Sequence, residues 1–200
     1  MQSRGLKRRE LLQQSAKYLL NKNDISDITY ADIAKHAQIP KSSAYHFYAN
    51  LDELYTEVAS QYGEQLLEVL SKLPSRGDVK DWHSIVDIII DRAVLFYEEE
   101  TAARQLFISG KTSAVIKQKD RANDQLIARA TYRILDHFFE LPSIKEQSDI
   151  FYIWVELVDT IFTISQMKYG MITKSMELEA KQAAKAYLGC YVPLDIPSRR

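Results

Sequence analysis

The stretch from Thr29 to Glu53 carries two helix starts and one helix break, and no other part of the chain narrows its fold so sharply. The Thr29 hydroxyl can cap a helix, Asp32 stands at the capping-box position, and Ile28 faces Ile33 as a hydrophobic staple. That helix can run only to about Ala37, because Gln38-Ile39-Pro40 interrupts it. Pro40 suits the first position of a new helix, where its missing N–H would go unbonded anyway, so a third helix is expected from Pro40 to about Tyr48. Asn50 with Glu53 repeats the cap for a long helix, whose apolar face runs through Leu51, Leu54, Tyr55, Val58, Tyr62, Leu66, Val69 and Leu73. Upstream, Leu11, Leu12, Ala16, Leu19 and Leu20 recur at helical spacing and predict a first helix from about Leu6 to Lys22.

Three such helices with a short break between the second and third make a helix-turn-helix, whose last helix enters the DNA major groove. The third helix has the side chains for it: Lys41, Ser42, Ser43, Tyr45 and His46 all end in donors or acceptors. Charge is distributed to match. Residues 1–50 carry eight Lys or Arg against four acids, a net +4, while the remainder nets −5, so the basic end is the one expected to meet a polyanion. Arg4, Lys7 and Arg8 add cations that can follow the neighbouring backbone or minor groove.

Beyond Pro74 to Gly77 the pattern stays helical: residues 81–100, 102–109, a segment from Lys117 through Phe139, then 145–169 and 175–190. The expected class is all-α, with a helix-turn-helix domain at 1–50 and a helical effector-binding and dimerisation domain at 51–200. The tail from Pro193 to Arg200 reads as loose. The single Cys190 excludes an internal disulfide, no signal-peptide pattern opens the chain, and the apolar runs are short, so a cytoplasmic protein with no membrane span is expected. Gly110-Lys111-Thr112 resembles the end of a phosphate-binding loop, but Gln105 stands where the earlier glycine is needed. His36, His46, His83 and His137 are scattered, and neither a metal nor a cofactor is expected.

The run Thr29-Tyr30-Ala31-Asp32-Ile33-Ala34-Lys35-His36-Ala37, then Ser43-Ala44-Tyr45-His46-Phe47-Tyr48 and Asn50-Leu51-Asp52-Glu53-Leu54, resembles the signature of the tetracycline-repressor family of transcriptional regulators. The resemblance covers about residues 6–58. It implies phosphate contacts from Thr29 and from the Tyr45 hydroxyl, and base-edge or phosphate contacts from Lys41, Ser42, Ser43 and His46. Ala44 would meet a thymine methyl, and Tyr30 and Asn50 complete the DNA-binding set. The sequence departs from the family at Gln38, in place of the usual turn glycine, at Pro40, in place of a capping serine, and at Leu51, where a phosphate-binding lysine is common. Either Gln38 takes a left-handed backbone or the turn differs slightly from the family's.

The resemblance further implies a homodimer formed through the helices near 145–169 and 175–190, a double-stranded DNA operator, and repression relieved by a small, largely apolar effector. Phe107, Tyr132 and Trp154 are the candidate effector-pocket residues. The competing reading is an all-helical enzyme or scaffold with an appended helix-turn-helix; DNA binding that is steeply salt-dependent separates the two.

Overall fold

The computed structural model describes residues 2–199, with side chains from Gly5 to Arg199. Among these residues the regular elements are α1 (Gln2–Leu20), α2 (Tyr30–His36), α3 (Lys41–Ala44), α4 (Leu51–Leu70), α5 (Trp82–Glu99), α6 (Thr101–Ile108), α7 (Ala114–Phe138), α8 (Gln147–Tyr169) and α9 (Lys174–Gly189). The class is all-α, as the periodicity implies; the only β-type pairing among the described residues is a single bridge between Phe139 and Ser198.

Two compact units make up the chain, one from residues up to 63 with 100–120, the other from 64–99 with 121–200. The first therefore reaches beyond the expected limit at residue 50. Glu57 and Gln61 of α4 hydrogen-bond to α1, and Gln105 of α6 bonds the loop that follows α1. Its core takes Leu12, Ala16 and Leu20 from α1 and Ile33 and Ala34 from α2, all at most 1% exposed. Burying each of the larger side chains contributes about 1.5–3 kcal/mol.

α3 is shorter than the expected Pro40–Tyr48 helix. After Ala44 the amides of His46 and Phe47 bond back three residues, to Ser43 and Ala44, and the chain tightens out of α-helical register. Ser, Tyr and His are indifferent helix formers, so nothing local resists that tightening.

In the second unit α9 packs against both α8 and α5. Lys181 of α9 pairs with Asp91 of α5 and, at 2.7 Å, with Glu177, while Lys185 reaches Asp87 at 2.5 Å. The α8–α9 connection turns at Gly170, which has φ of 73°, and Ser165 Oγ bridges it by donating to Met171 O and accepting from Thr173 N. α8 has the length and apolarity to cross a membrane by composition alone, yet Phe151, Trp154 and Phe162 on it are buried within this unit.

The tail, expected to be loose, is docked. Pro193 O accepts the Trp82 indole N–H at 3.0 Å, Pro197 O accepts the Glu140 amide at 2.8 Å, and the Arg199 amide donates to Phe138 O at 2.7 Å. The last of these satisfies the Phe138 carbonyl, one of those that the end of α7 leaves open.

Candidate nucleic-acid interface

α2 begins with a complete capping box. The Asp32 amide donates to Thr29 Oγ1 at 3.3 Å, and the Thr29 amide and hydroxyl donate to Asp32 Oδ2 at 2.9 and 2.5 Å. The hydroxyl and amide of Thr29 together hold the Asp32 carboxyl below its ordinary pKa. At the other end, the Gln38 amide donates to Lys35 O at 3.1 Å and the Ile39 amide to Ala34 O at 2.9 Å, with Gln38 at φ 55°. This is the helix-ending motif that glycine usually serves, and of the two alternatives Gln38 takes the left-handed backbone. The turn thus keeps its shape without the glycine.

Tyr30 braces α3 and the turn after it. Only 6% exposed, it aims its hydroxyl at Ala44 O, 2.8 Å away, and at Tyr48 O, 3.1 Å away. Burial, then the neighbouring Tyr45, Tyr48 and Glu53, pushes its pKa up to about 12, so the group stays protonated and donating. Its ring meets the Tyr45 ring edge-on, with centroids 4.9 Å apart.

Above this support Lys41, Ser42, Tyr45 and His46 are exposed, Tyr45 by 46%, and Ser43 is half-buried. Tyr30 and Ala44 are not part of that surface. The Tyr30 hydroxyl is occupied by two carbonyls, and the Ala44 methyl is fully buried, so neither side chain can take the DNA contact expected of it. Thr29 is exposed at the start of α2. Asn50 is exposed too, and its Oδ1 accepts the Glu53 amide at 2.8 Å, which caps α4.

A polar network holds the platform from below. Gln13 Nε2 donates to the Tyr48 hydroxyl and to Glu57 Oε1, both at 2.7 Å, and Gln61 Nε2 donates to Gln13 Oε1 at 2.9 Å. Arg9 pairs with Glu57 and stacks over the Tyr48 ring, 4.7 Å from its centre. Of the expected N-terminal cations, Lys7 and Arg8 are exposed, and the Arg4 side chain lies outside the described residues.

α6 is tied to the loop after α1. Gln105 Oε1 accepts the Ile25 amide at 2.7 Å, and its Nε2 donates to Leu20 O and, at 2.7 Å, to Asn23 O. Asn21 Oδ1 accepts the Ala102 amide at 2.9 Å, and Lys111 pairs with Asp24 at 2.5 Å. Sequence reading gave these residues no role. Their partners lie 80 or more residues upstream, and no local pattern marks a polar side chain that bonds a distant backbone.

In the second unit a narrow cleft opens among α4, α5, α7 and α8, lined by residues including Leu66, Ile89, Ile127, Trp154, Asp159 and Phe162. Its cavity volume is about 30 Å³. Of the three expected pocket residues only Trp154 lines it. Phe107 is buried in α6, which belongs to the other unit, and Tyr132 packs edge-on against Phe151 with centroids 5.4 Å apart. An aromatic at helical spacing is core unless a cavity happens to reach it.

No protein-family profile matches the sequence, and neither does any characterised protein at the sequence level. Solved structures do match the fold. A TetR-family transcriptional regulator from Streptomyces coelicolor aligns with a TM-score of 0.67 at 15% identity, over 92% of this chain and 99% of its own. The multidrug binding protein EbrR, complexed with imidazole, aligns at 0.67 and 14% identity over 94% and 96% of the two chains. FadR from Thermus thermophilus, a TetR-family repressor in complex with lauroyl-CoA, aligns at 0.65 and 13% identity over 96% and 99%. Along nearly its whole length, the chain has the fold of the TetR-family transcriptional regulators.

Proposed function

We propose that the chain is a sequence-specific DNA-binding transcriptional regulator, acting as a homodimeric repressor that a small, largely apolar effector releases from its operator. The observation that carries this reading is the exposed set Lys41, Ser42, Tyr45 and His46, held on a support that Tyr30 locks through Ala44 O and Tyr48 O. Groups that read base edges must be both accessible and rigidly placed, and phosphate contacts from Thr29 and Tyr45 would set their register.

Dimerisation is supported by apolar side chains left in the open on α8 and α9. Ile153, Ile164 and Met167 share one side of α8 and are 47%, 48% and 69% exposed, and Leu178 of α9 is 56% exposed. A second copy meeting them across a two-fold axis would bury the same patch on both chains. Release by an effector is supported by the cleft, which Leu66 and Leu70 of α4 help to line. At about 30 Å³ it is far below the roughly 300–1,000 Å³ of small-molecule sites, so a ligand must part the helices to enter. α4 continues from the cleft into residues of the DNA-reading unit. A DNA partner places the protein in the cytoplasm, and its action needs no catalysis.

Selection of bound duplexes from a random pool tests the proposal. It should enrich an inverted repeat whose half-sites lie about one helical turn, or a multiple of it, apart. A pool without enrichment for any sequence would overturn it.

A further inference from the structure

Apart from Asp159, every side chain lining the cleft of the second unit is aliphatic or aromatic, and neither Lys nor Arg is among them. Asp159, half-buried, stands on α8 one turn from Val155 and Phe162, which line the cleft with it. Two acids lie near it. Glu156 lies on the same helix, and Asp124 of α7, 4% exposed, brings a carboxylate oxygen within 4.8 Å of one from Asp159. Arg121 is engaged with Glu156 at 3.8 Å. Burial first, and Glu156 second, push the Asp159 carboxyl up to about 7. A second polar point lies in the same lining: Trp154 is 2% exposed, and its indole N–H has no hydrogen-bond partner.

A carboxyl held among apolar walls and like charges gains most from a cation that arrives with its own apolar surface. We infer that the cleft takes an apolar molecule bearing one cationic amine, whose ammonium meets Asp159 while its hydrocarbon part lies against Leu66, Ile89 and Phe162. An acceptor atom on the same molecule would satisfy the Trp154 N–H. Anionic ligands of the same skeleton would meet like charge and be rejected. The inference rests on the reading of this unit as the effector-binding module.

Isothermal titration of the full chain with 4-phenylbutylamine, 4-phenylbutanol and 4-phenylbutyrate, which share one hydrocarbon skeleton, tests it. The amine should bind at least about tenfold more tightly than the alcohol, and the butyrate weakest of the three. Asp159→Asn should bring the amine to the level of the alcohol and leave alcohol binding within about twofold, which reports an intact cleft. The inference is overturned if the alcohol equals the amine on the native chain, if none of the three binds, or if Asp159→Asn leaves the amine unchanged. The native-chain comparison decides even where the variant fails to fold. A chain that selects DNA but ignores the amine refutes this inference alone, and one that binds the amine but selects no DNA refutes the regulator reading alone.

Discussion

Replacing Tyr30 by Phe removes one oxygen from beneath the reading surface and leaves every exposed side chain in place. The hydroxyl lies 2.8 Å from Ala44 O and 3.1 Å from Tyr48 O. Ala44 O keeps the Phe47 amide at 2.9 Å, whereas Tyr48 O loses the Tyr30 bond. A lost buried bond together with a stranded carbonyl costs about 1–3 kcal/mol. At about 2–4 °C per kcal/mol for a chain of this size, the Tm read by circular dichroism should fall by roughly 2–12 °C. DNA affinity should fall as well, because the turn carrying Tyr45 and His46 loosens. Its salt dependence should keep the same slope, because no phosphate contact has been removed. An unchanged Tm with a shallower salt slope would instead make Tyr30 a direct phosphate ligand and overturn its bracing role.

Gln38→Gly should stabilise the chain by about 1 kcal/mol and raise Tm by roughly 2–4 °C, because a left-handed φ costs a side chain more than glycine loses in entropy. In the tie between α6 and the loop after α1, the Lys111 hydrogen bond, then those from the Ser26 hydroxyl and amide, lower Asp24 to about 2. Since that folded pKa lies below the unfolded value near ~3.9, the tie contributes above about pH 4 and is lost as pH falls toward 2. Urea titrations at pH 5 and pH 3 should therefore show a smaller acid-induced loss of stability in Lys111→Met than in the native chain. Removing residues 194–199 should destabilise the protein by about 1–2 kcal/mol and expose the Glu140 amide, bonded to Pro197 O at 2.8 Å, to fast hydrogen exchange.

The parts of the fold written in local chemistry were legible. Thr29 with Asp32, Asn50 with Glu53 and the break at Gln38 all act within four residues, and each forms as its neighbours dictate. The same stretch holds Lys41, Ser42, Tyr45 and His46, which the fold leaves exposed. Tyr30 misled because its hydroxyl is spent on carbonyls 14 and 18 residues further on. Ala44 likewise depends on what packs over it. Gln105, the docked tail and the identity of the cleft residues depend on pairings that no window of sequence contains. Asp159 has a weak signal, a lone acid on the apolar side of α8, but only the cleft shows which way it faces.

The central claim is that the exposed face of α3 and the turn after it meets DNA, and a salt titration of affinity on the selected duplex tests it most directly. With native chain and Lys41→Ala compared by fluorescence anisotropy, log Kd against log salt should be steep for the native chain. In the variant the slope should be shallower by about one for each Lys41 that meets a phosphate. Equal slopes and equal affinities for the two proteins would contradict the account, because the exposed cation of α3 would then lie away from the DNA.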